Sequence, residues 1–158
     1  MPSDPSSAWW RELERYPHLR GALARAPARA VVADARVVDS APRLAEDHDP
    51  VNAALYALLA HARRNAVVVT PYLVLTENAA AAFEAAGRRG LSVTVLTNSP
   101  ASSDNALSQR FFMEQWPRLL AQVPNLRVYV VGGVRNKHAK FAVFDDEITM
   151  LGSNNLDP

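Results

Sequence analysis

The feature that most constrains this chain is a set of polar residues placed in apolar sequence near its carboxyl terminus. His138 and Lys140 lie two residues apart, Asp145 follows, and Ser153 and Asn155 are again two apart. On a β-strand, residues i and i+2 point to the same face, so each pair is predicted to project together. An imidazole, an ammonium, a hydroxyl and an amide would then form one cluster, a combination suited to nucleophilic attack and to holding an oxyanion.

The sequence around the first pair argues against a purely structural role for it. Residues 141–144 are apolar on both faces, as is typical of an interior strand. Lysine is almost never fully buried unless it is paired, and a buried polar group is costly unless it is hydrogen-bonded. The combination of His138 and Lys140 on one face of such a strand therefore indicates that this face lines a cleft.

The position of Asp145 predicts a different role. It lies seven residues after His138, an odd separation, so on a regular strand it faces away from the histidine. With Asp146 and Glu147 it separates two apolar runs, a pattern typical of a tight hairpin turn. Strand geometry therefore favours a role for Asp145 in anchoring that turn over contact with a substrate.

Composition places the chain among soluble globular proteins. It has 158 residues, 49% hydrophobic and 21% charged, which suffices for one domain with its own core. The absence of cysteine excludes disulfides and thiolate metal sites and is consistent with a reducing compartment. The net charge of +1 is too balanced to indicate nucleic-acid binding by itself. No apolar run approaches the length of a membrane span, and residues 1–7 lack the pattern of a signal peptide.

Apolar periodicity, capping residues and prolines predict alternating helices and strands. The predicted helices are residues 8–26, a helix opened by Asp49-Pro50, residues 76–89, and a helix capped by Ser103 or Asp104. Pro27 is predicted to stop the first helix, and Pro117 to kink or divide the last. The predicted strands are residues 29–38, 66–70, 91–97 and 126–131. This alternation predicts an α/β fold with a mixed β-sheet flanked by helices.

The spacing of the polar residues over 138–155 resembles the signature of the phospholipase D-like superfamily, often called the HKD motif. Further segments are similar to bacterial cardiolipin synthases and related phosphatidyltransferases, namely Val69-Thr70-Pro71-Tyr72, residues 89–99 and Leu156-Asp157-Pro158. The resemblance implies one half of a bilobal phospholipase D-like fold, in which residues 29–158 form the domain and residues 1–28 a preceding helical segment.

The resemblance also implies site residues and a mechanism. His138, Lys140 and Asp145 are the implied catalytic residues, and Lys140, Ser153 and Asn155 the implied ligands of the substrate phosphate. His138 would attack phosphorus to give a phosphohistidine, and a second histidine would protonate the leaving alcohol. No cofactor is implied, and no metal ion either, since the acidic residues near Asp145 lack metal-ligand spacing.

Two features depart from the superfamily pattern. None of the other histidines, His18, His48 and His61, has a lysine two residues later, so a second motif must come from another half of a longer polypeptide or from a homodimer. The superfamily also carries, after the motif, a carboxylate that orients the catalytic histidine, and nothing after Asn155 matches it. We therefore expect the carboxy-terminal half of a two-motif enzyme, truncated at its own carboxyl end.

Three functions remain open at this point. The first is a cardiolipin synthase-like phosphatidyltransferase, cytoplasmic and peripheral to a membrane, with a phospholipid substrate and an alcohol acceptor. The second is a phosphodiesterase acting on nucleic acid, although nucleic acid is the less favoured partner. Arg135 and Lys137 could contact either nucleic-acid phosphates or anionic lipid. The third is a catalytically silent half retained for packing or for dimer contacts.

Overall fold

A computed structural model of the chain describes residues 11, 14–39 and 49–156. The chain divides into two compact units, Met1–Val37 and Val38–Pro158. The predicted boundary between residues 28 and 29 stays a prediction. The start of the helix predicted over residues 8–26 lies outside the described residues, as does the Asp157-Pro158 pair.

The first unit contains helix α1, Pro17–Arg29, which begins after Tyr16, so the single helix predicted over residues 8–26 is interrupted at residues 15 and 16. Its first turn contains a proline, which suits a position where the backbone N–H would lack a partner in any case. The helix continues through Pro27, so the prediction that this proline stops it was wrong. No residue of α1 is buried, and the carbonyl that a proline leaves unbonded can therefore reach water.

Residues 30–39 form neither a helix nor a strand, so the strand predicted over residues 29–38 was also wrong. Val31, Val32 and Val37 are almost fully exposed. Valine favours strands because its branched side chain packs on a pleated, half-buried surface. No strand among those described pairs with this segment, so its valine side chains do not pack on a β-sheet.

The second unit contains a five-stranded sheet and its helices. Its elements in chain order are α2 (Pro50–His61), β1 (Asn65–Val69), α3 (Glu77–Arg88), β2 (Ser92–Asn98), α4 (Ala106–Gln122), β3 (Leu126–Val131), β4 (Phe141–Phe144) and β5 (Ile148–Leu151). The strand order is β3-β2-β1-β4-β5. The strands β1, β2 and β3 are parallel, whereas β4 is antiparallel to β1 and β5 is antiparallel to β4. The predicted α/β fold with a mixed sheet is therefore confirmed.

The core of this unit lies between the sheet and its helices. Its largest fully buried apolar side chains come from α2, α3, β2, the end of α4 and β4; they include Leu59, Phe83, Val93, Val95, Val123 and Phe144. Burial alternates along β1 and β2, so each strand presents every second residue to the more buried face. This packing fixes the ends of the strands, from which the loops of the candidate site emerge.

Local capping signals position two of the helices as predicted. The Asp49 carboxylate accepts hydrogen bonds from the N–H groups of Val51 and Asn52 at the start of α2. Thr76 caps α3 through the N–H of Ala79. Gly90 follows the end of α3 with a φ of +88°, a conformation that favours glycine.

The start and course of α4 differ from the prediction. Its cap is Asn105, whose side chain accepts from the N–H of Ser108 at 3.0 Å, instead of Ser103 or Asp104. The helix also runs through Pro117 without division. Pro117 is exposed, so the carbonyl that it leaves unbonded can be hydrated. Within the described residues, no helix is both long and apolar enough to cross a membrane.

Candidate active site

The segments that carry the candidate residues meet at one edge of the sheet. The parallel strands β1, β2 and β3 all end there. Val69, the last residue of β1, pairs with Phe141, the first residue of β4, and Phe141 pairs in turn with Leu151, the last residue of β5. Residues 138–140, which lead into β4, and residues 152–155, which follow β5, therefore lie at the same edge of the sheet. We call it the carboxyl edge.

His138 and Lys140 come together at this edge, but they do so in irregular chain just before β4 rather than on the strand itself. The Nζ atom of Lys140 lies 2.9 Å from Nδ1 and 3.3 Å from Nε2 of His138. It also donates to the carbonyl oxygen of His138 at 3.2 Å. His138 is exposed and Lys140 half-buried, so a phosphate oxygen beside the imidazole would lie within reach of the ammonium.

The β4–β5 hairpin brings the second polar pair to the same edge. The N–H of Gly152 donates to the carbonyl of Lys140 at 3.3 Å. These two residues lie directly beyond the last paired residues of β4 and β5, Phe141 and Leu151. Ser153 is exposed at a bend and Asn155 is half-buried, so the extended segment that would align them does not form. Within the described residues, no hydrogen bond joins either side chain to His138 or Lys140. Their role in holding phosphate stays a prediction.

Asn155 carries a polar atom that is unusual for its surroundings. Its Oδ1 is buried and has no hydrogen-bond partner among the described residues. The neighbouring residues are fixed, since Leu156 is buried in the core and the Asn154 amide donates to Asn52 of α2 at 3.3 Å. Buried polar atoms without a partner are uncommon, which makes this amide a candidate for contact with a ligand.

Asp145 lies at the opposite edge of the sheet, beside the start of β1. Its carboxylate accepts from the N–H groups of Arg63 at 2.8 Å, Arg64 at 2.7 Å and Asn65 at 3.1 Å. Five residues separate it from Lys140, roughly 16 Å along a strand. Asp145 therefore ties the hairpin to β1, whereas the catalytic role that the resemblance implies for it stays a prediction.

The turn that contains Asp145 is tight. Asp145 and Asp146 have φ angles of 54° and 64°, a left-handed conformation that aspartate tolerates better than most residues. The N–H of Glu147 donates to the carbonyl of Phe144 at 3.0 Å and closes the turn. The predicted hairpin is confirmed. The backbone N–H groups that donate to the Asp145 carboxylate, first that of Arg63, hold its pKa below the ordinary value.

We expect Asp145→Asn to lower the melting temperature at about pH 7 and to have a smaller effect at about pH 2.5. An amide presents a single acceptor oxygen to the three N–H groups that the carboxylate binds. Because the folded-state pKa lies below its ordinary value, the stability from the ionised group is present above that value and is lost as the pH falls through the folded pKa. Thermal unfolding at both pH values measures the difference, and an equal difference at both would contradict the assignment.

Asn98, the last residue of β2, is fully buried and holds the chain that precedes His138. Its Nδ2 donates to Asn136 Oδ1 at 2.7 Å and to the carbonyls of Lys137 at 3.0 Å and Pro71 at 3.1 Å. Its Oδ1 accepts from the N–H of Lys137 at 3.0 Å. One side chain thus binds both backbone groups of the residue next to the motif histidine. Sequence reasoning missed this role, although an asparagine at the end of an apolar strand was a possible signal.

We expect Asn98→Ala to lower the free energy of unfolding by about 2–4 kcal/mol, since alanine cannot replace the hydrogen bonds of the buried amide to Asn136, Lys137 and Pro71. Asn136→Ala is the matched control, because Asn136 is only half-buried and its loss removes one of the contacts of Asn98. Its expected cost is about 1 kcal/mol. Urea unfolding measures both values. Equal losses of unfolding free energy in the two variants would show that Asn98 is not the main residue that holds the chain before His138.

Tyr72 faces the imidazole from the chain that follows β1. The ring centroids of Tyr72 and His138 lie 6.1 Å apart at an interplanar angle of 76°, an edge-to-face arrangement. The Tyr72 hydroxyl donates to Asp104 Oδ1 at 2.6 Å. This hydrogen bond is the largest cause that holds the pKa of Asp104 below its ordinary value, and Asn136 and the charge of His138 contribute less. Sequence reasoning missed both Tyr72 and Asp104 as site residues.

Comparison with known proteins shows which family this chain resembles. A family model described as "Cardiolipin synthase, PLD-like domain" matches residues 55–158. Probable cardiolipin synthase YwiE from Bacillus subtilis (strain 168) is 28% identical over 102 residues, which are 65% of this chain and 19% of that protein. An uncharacterized protein from Streptococcus mutans is 32% identical over 116 residues, with 70% of this chain and 23% of that protein covered. The chain spans about a fifth of the length of these curated relatives.

Solved structures show the same fold. NucT from Helicobacter pylori has a TM-score of 0.52 at 21% identity and covers 68% of this chain and 67% of its own. Phosphatidylserine synthase from Haemophilus influenzae Rd KW20 has a TM-score of 0.54 at 17% identity, with 70% of this chain and 29% of that chain covered. Nuc from Salmonella typhimurium, a phospholipase D family member, has a TM-score of 0.50 at 16% identity and covers 66% and 64% of the two chains. The family model and this shared fold agree with the spacing of the motif, and the chain belongs to the phospholipase D superfamily.

Proposed function

We propose that this chain carries one half of the active site of a phosphatidyltransferase similar to cardiolipin synthase. The observation that supports this most directly is the 2.9 Å contact between Lys140 Nζ and His138 Nδ1 at the carboxyl edge. An imidazole can attack phosphorus, and an ammonium beside it can neutralise the charge that grows on the phosphate oxygens. The match to a cardiolipin synthase family model favours a phospholipid as the substrate.

The proposed reaction has two displacements. In the first, a ring nitrogen of His138 bonds to phosphorus, and the bond to the leaving alcohol breaks with its electron pair. That oxygen takes a proton from a second histidine, which belongs to the other half of the site. In the second displacement the same histidine removes a proton from the incoming alcohol, whose oxygen displaces His138 from phosphorus. Lys140, Ser153 and Asn155 hold the non-bridging oxygens throughout.

The second histidine comes from another part of a longer polypeptide or from a second copy of the chain. The outer strands of the sheet, β3 and β5, expose apolar side chains that include Tyr129, Val130, Ile148 and Leu151. Outer strands of this kind tend to pair with other chains. Because the side chain of His138 is also exposed, a second motif could reach it. We therefore expect the purified chain to self-associate, and any activity to belong to the associated form.

We expect a mixing experiment to reveal whether two copies share a site. If each site needs two copies of His138, an equal mixture of wild type and His138→Asn retains about a quarter of the wild-type activity, since one dimer in four has both histidines. Dilution of wild type with an inert protein is the control and retains about half. Sedimentation gives the oligomeric state of each sample. An active monomer would contradict the requirement for two motifs.

Substrate class is tested with vesicles and DNA in parallel. Vesicles of phosphatidylglycerol with an added alcohol should yield a new phosphatidyl ester and free glycerol, both detectable by mass spectrometry. The same preparation should leave single- and double-stranded DNA uncut at low and at high salt. Cleavage of DNA without lipid turnover would overturn the phosphatidyltransferase proposal, and turnover of neither substrate would favour a catalytically silent half.

A phosphodiesterase acting on nucleic acid is the second candidate. The exposed residues Arg135 and Lys137 support it, because they lie directly before the motif and could bind a phosphate backbone. Neither candidate reaction calls for a metal ion. Among the described residues, no group of three histidine or acidic side chains is placed to hold one, and the metal-free mechanism stays a prediction.

A further inference from the structure

We propose that Asp104 and Tyr72 are positioning residues for His138. This orienting pair comes from the chain after β1 and the loop before α4, whereas the superfamily pattern places an orienting carboxylate after the motif. The inference rests on the proposed role of His138 as the nucleophile. It concerns the direction and the electrostatic surroundings of the imidazole rather than contact of Asp104 or Tyr72 with the substrate.

The tyrosine ring limits the orientations of the imidazole. The two rings meet edge to face, with centroids 6.1 Å apart. The Tyr72 side chain is itself held, because its hydroxyl donates to Asp104 at 2.6 Å, a short hydrogen bond to a carboxylate. Tyr72 is also buried, and its carbonyl accepts from the Thr70 hydroxyl at 2.9 Å. A buried ring whose hydroxyl is hydrogen-bonded, on a backbone that is itself hydrogen-bonded, can limit the rotation of the neighbouring imidazole.

The Asp104 carboxylate lies near the chain that leads into the motif. Tyr72 has the largest effect in holding the pKa of the Asp104 carboxyl below its ordinary value, and the side chain of Asn136, two residues before His138, has a smaller effect in the same direction. The Oδ1 atom of Asn136 is in turn held by the buried Asn98 amide at 2.7 Å. Asp104 therefore links the ring on one side of the imidazole to the backbone that leads into it. Asn105, the next residue, caps α4 and fixes the position of the loop.

The charge of the imidazole changes during the reaction. When a neutral imidazole attacks phosphorus through one nitrogen, the ring acquires positive charge until the phosphoryl group leaves. Asp104 accepts a hydrogen bond from Tyr72, whose ring centroid lies 6.1 Å from that of His138, and the charge of His138 has a small effect on the pKa of Asp104. An ionised carboxylate at this position would stabilise the charged ring in the transition state more than the neutral ring before attack. The pair would thus both orient His138 and favour its phosphorylation.

Two conservative variants test the proposal. Tyr72→Phe keeps the ring and removes its bond to Asp104, whereas Asp104→Asn keeps an acceptor oxygen and removes the charge. The matched control is Asp146→Asn, since Asp146 is exposed in the turn at the opposite edge of the sheet. The readouts are kcat and KM for phosphatidyl transfer, and the ring 15N and 13C chemical shifts of histidine-labelled protein. His61, exposed at the end of α2, is the internal reference.

We expect both variants to lower kcat by about 10- to 100-fold, with KM changed by less than about threefold. Both should displace the ring resonances of His138 and leave those of His61 in place, and Asp146→Asn should do neither. Unchanged His138 resonances in both variants would overturn the proposal, as would a kcat within about twofold of wild type. If wild type transfers no phosphatidyl group, the proposed function fails, and the chemical shifts alone then decide whether Asp104 and Tyr72 position the ring.

Discussion

His138→Asn is expected to lower phosphatidyl transfer by several orders of magnitude while the fold stays intact. Loss of a covalent nucleophile has effects of this size in other enzymes, on the order of 10⁴-fold or more in kcat. The asparagine side chain can still form hydrogen bonds, but it cannot carry the phosphoryl group between the two alcohols. Because His138 is exposed, its replacement leaves no cavity in the core, and the melting temperature should change little.

The measurement is single-turnover transfer in the assembled enzyme that contains both motifs. His61→Asn is the matched control, because it makes the same chemical change at an exposed helix position away from the carboxyl edge. Its rate should equal that of wild type. Activity of His138→Asn within about tenfold of wild type would exclude His138 as the nucleophile and as the general acid.

Lys140→Ala is expected to have the second-largest effect, and Lys140→Arg should fail to restore activity. In the described part of the chain, Lys140 Nζ is the cation in direct contact with the His138 ring. Alanine removes this charge from the position where negative charge grows on the phosphate oxygens. Arginine restores the charge, but its planar guanidinium is larger and presents its donors in a fixed fork. Both variants should therefore lose kcat more than binding.

Steady-state kinetics separate these effects, since an interaction made only in the transition state lowers kcat without raising KM. Lys137→Ala is the matched control: Lys137 is exposed three residues earlier, and its backbone rather than its side chain bonds to Asn98. It should keep nearly full kcat on a phospholipid, with any effect of its lost charge confined to KM. A Lys140→Ala enzyme with normal kcat and only a raised KM would show that this lysine binds the ground state instead.

The parts of the structure that sequence reasoning predicted well are those set by neighbouring residues. Asp49 caps α2 as predicted, because a cap acts on N–H groups two or three residues away. Thr76, predicted as about the first residue of its helix, is the residue that caps α3. The turn at Asp145 forms because two apolar runs flank three polar residues. The His138–Lys140 pair meets because the two residues are only two positions apart, although they lie in irregular chain before β4 rather than on the strand.

The predictions that were wrong relied on local residue preferences that the tertiary structure did not support. The valines of residues 29–38 have strong strand preference, but the segment pairs with none of the described strands. Pro27 and Pro117 were expected to end or divide helices, yet both helices continue because these positions are exposed. Asp104 was a reasonable cap for α4, but its carboxylate bonds to Tyr72, and Asn105 caps the helix instead.

The sequence by itself determined the family, the α/β fold and the chemical groups of the motif, since these depend on residue types at short fixed spacings. Tertiary structure alone decided what surrounds the motif. Tyr72 and Asp104 are 32 residues apart, and Asn98 and Lys137 are 39 apart. They meet because parallel strands β1, β2 and β3 end at the edge where antiparallel β4 begins. The hydrophobic periodicity of a single segment does not predict that strand order, because the order results from the packing of the whole sheet with its helices.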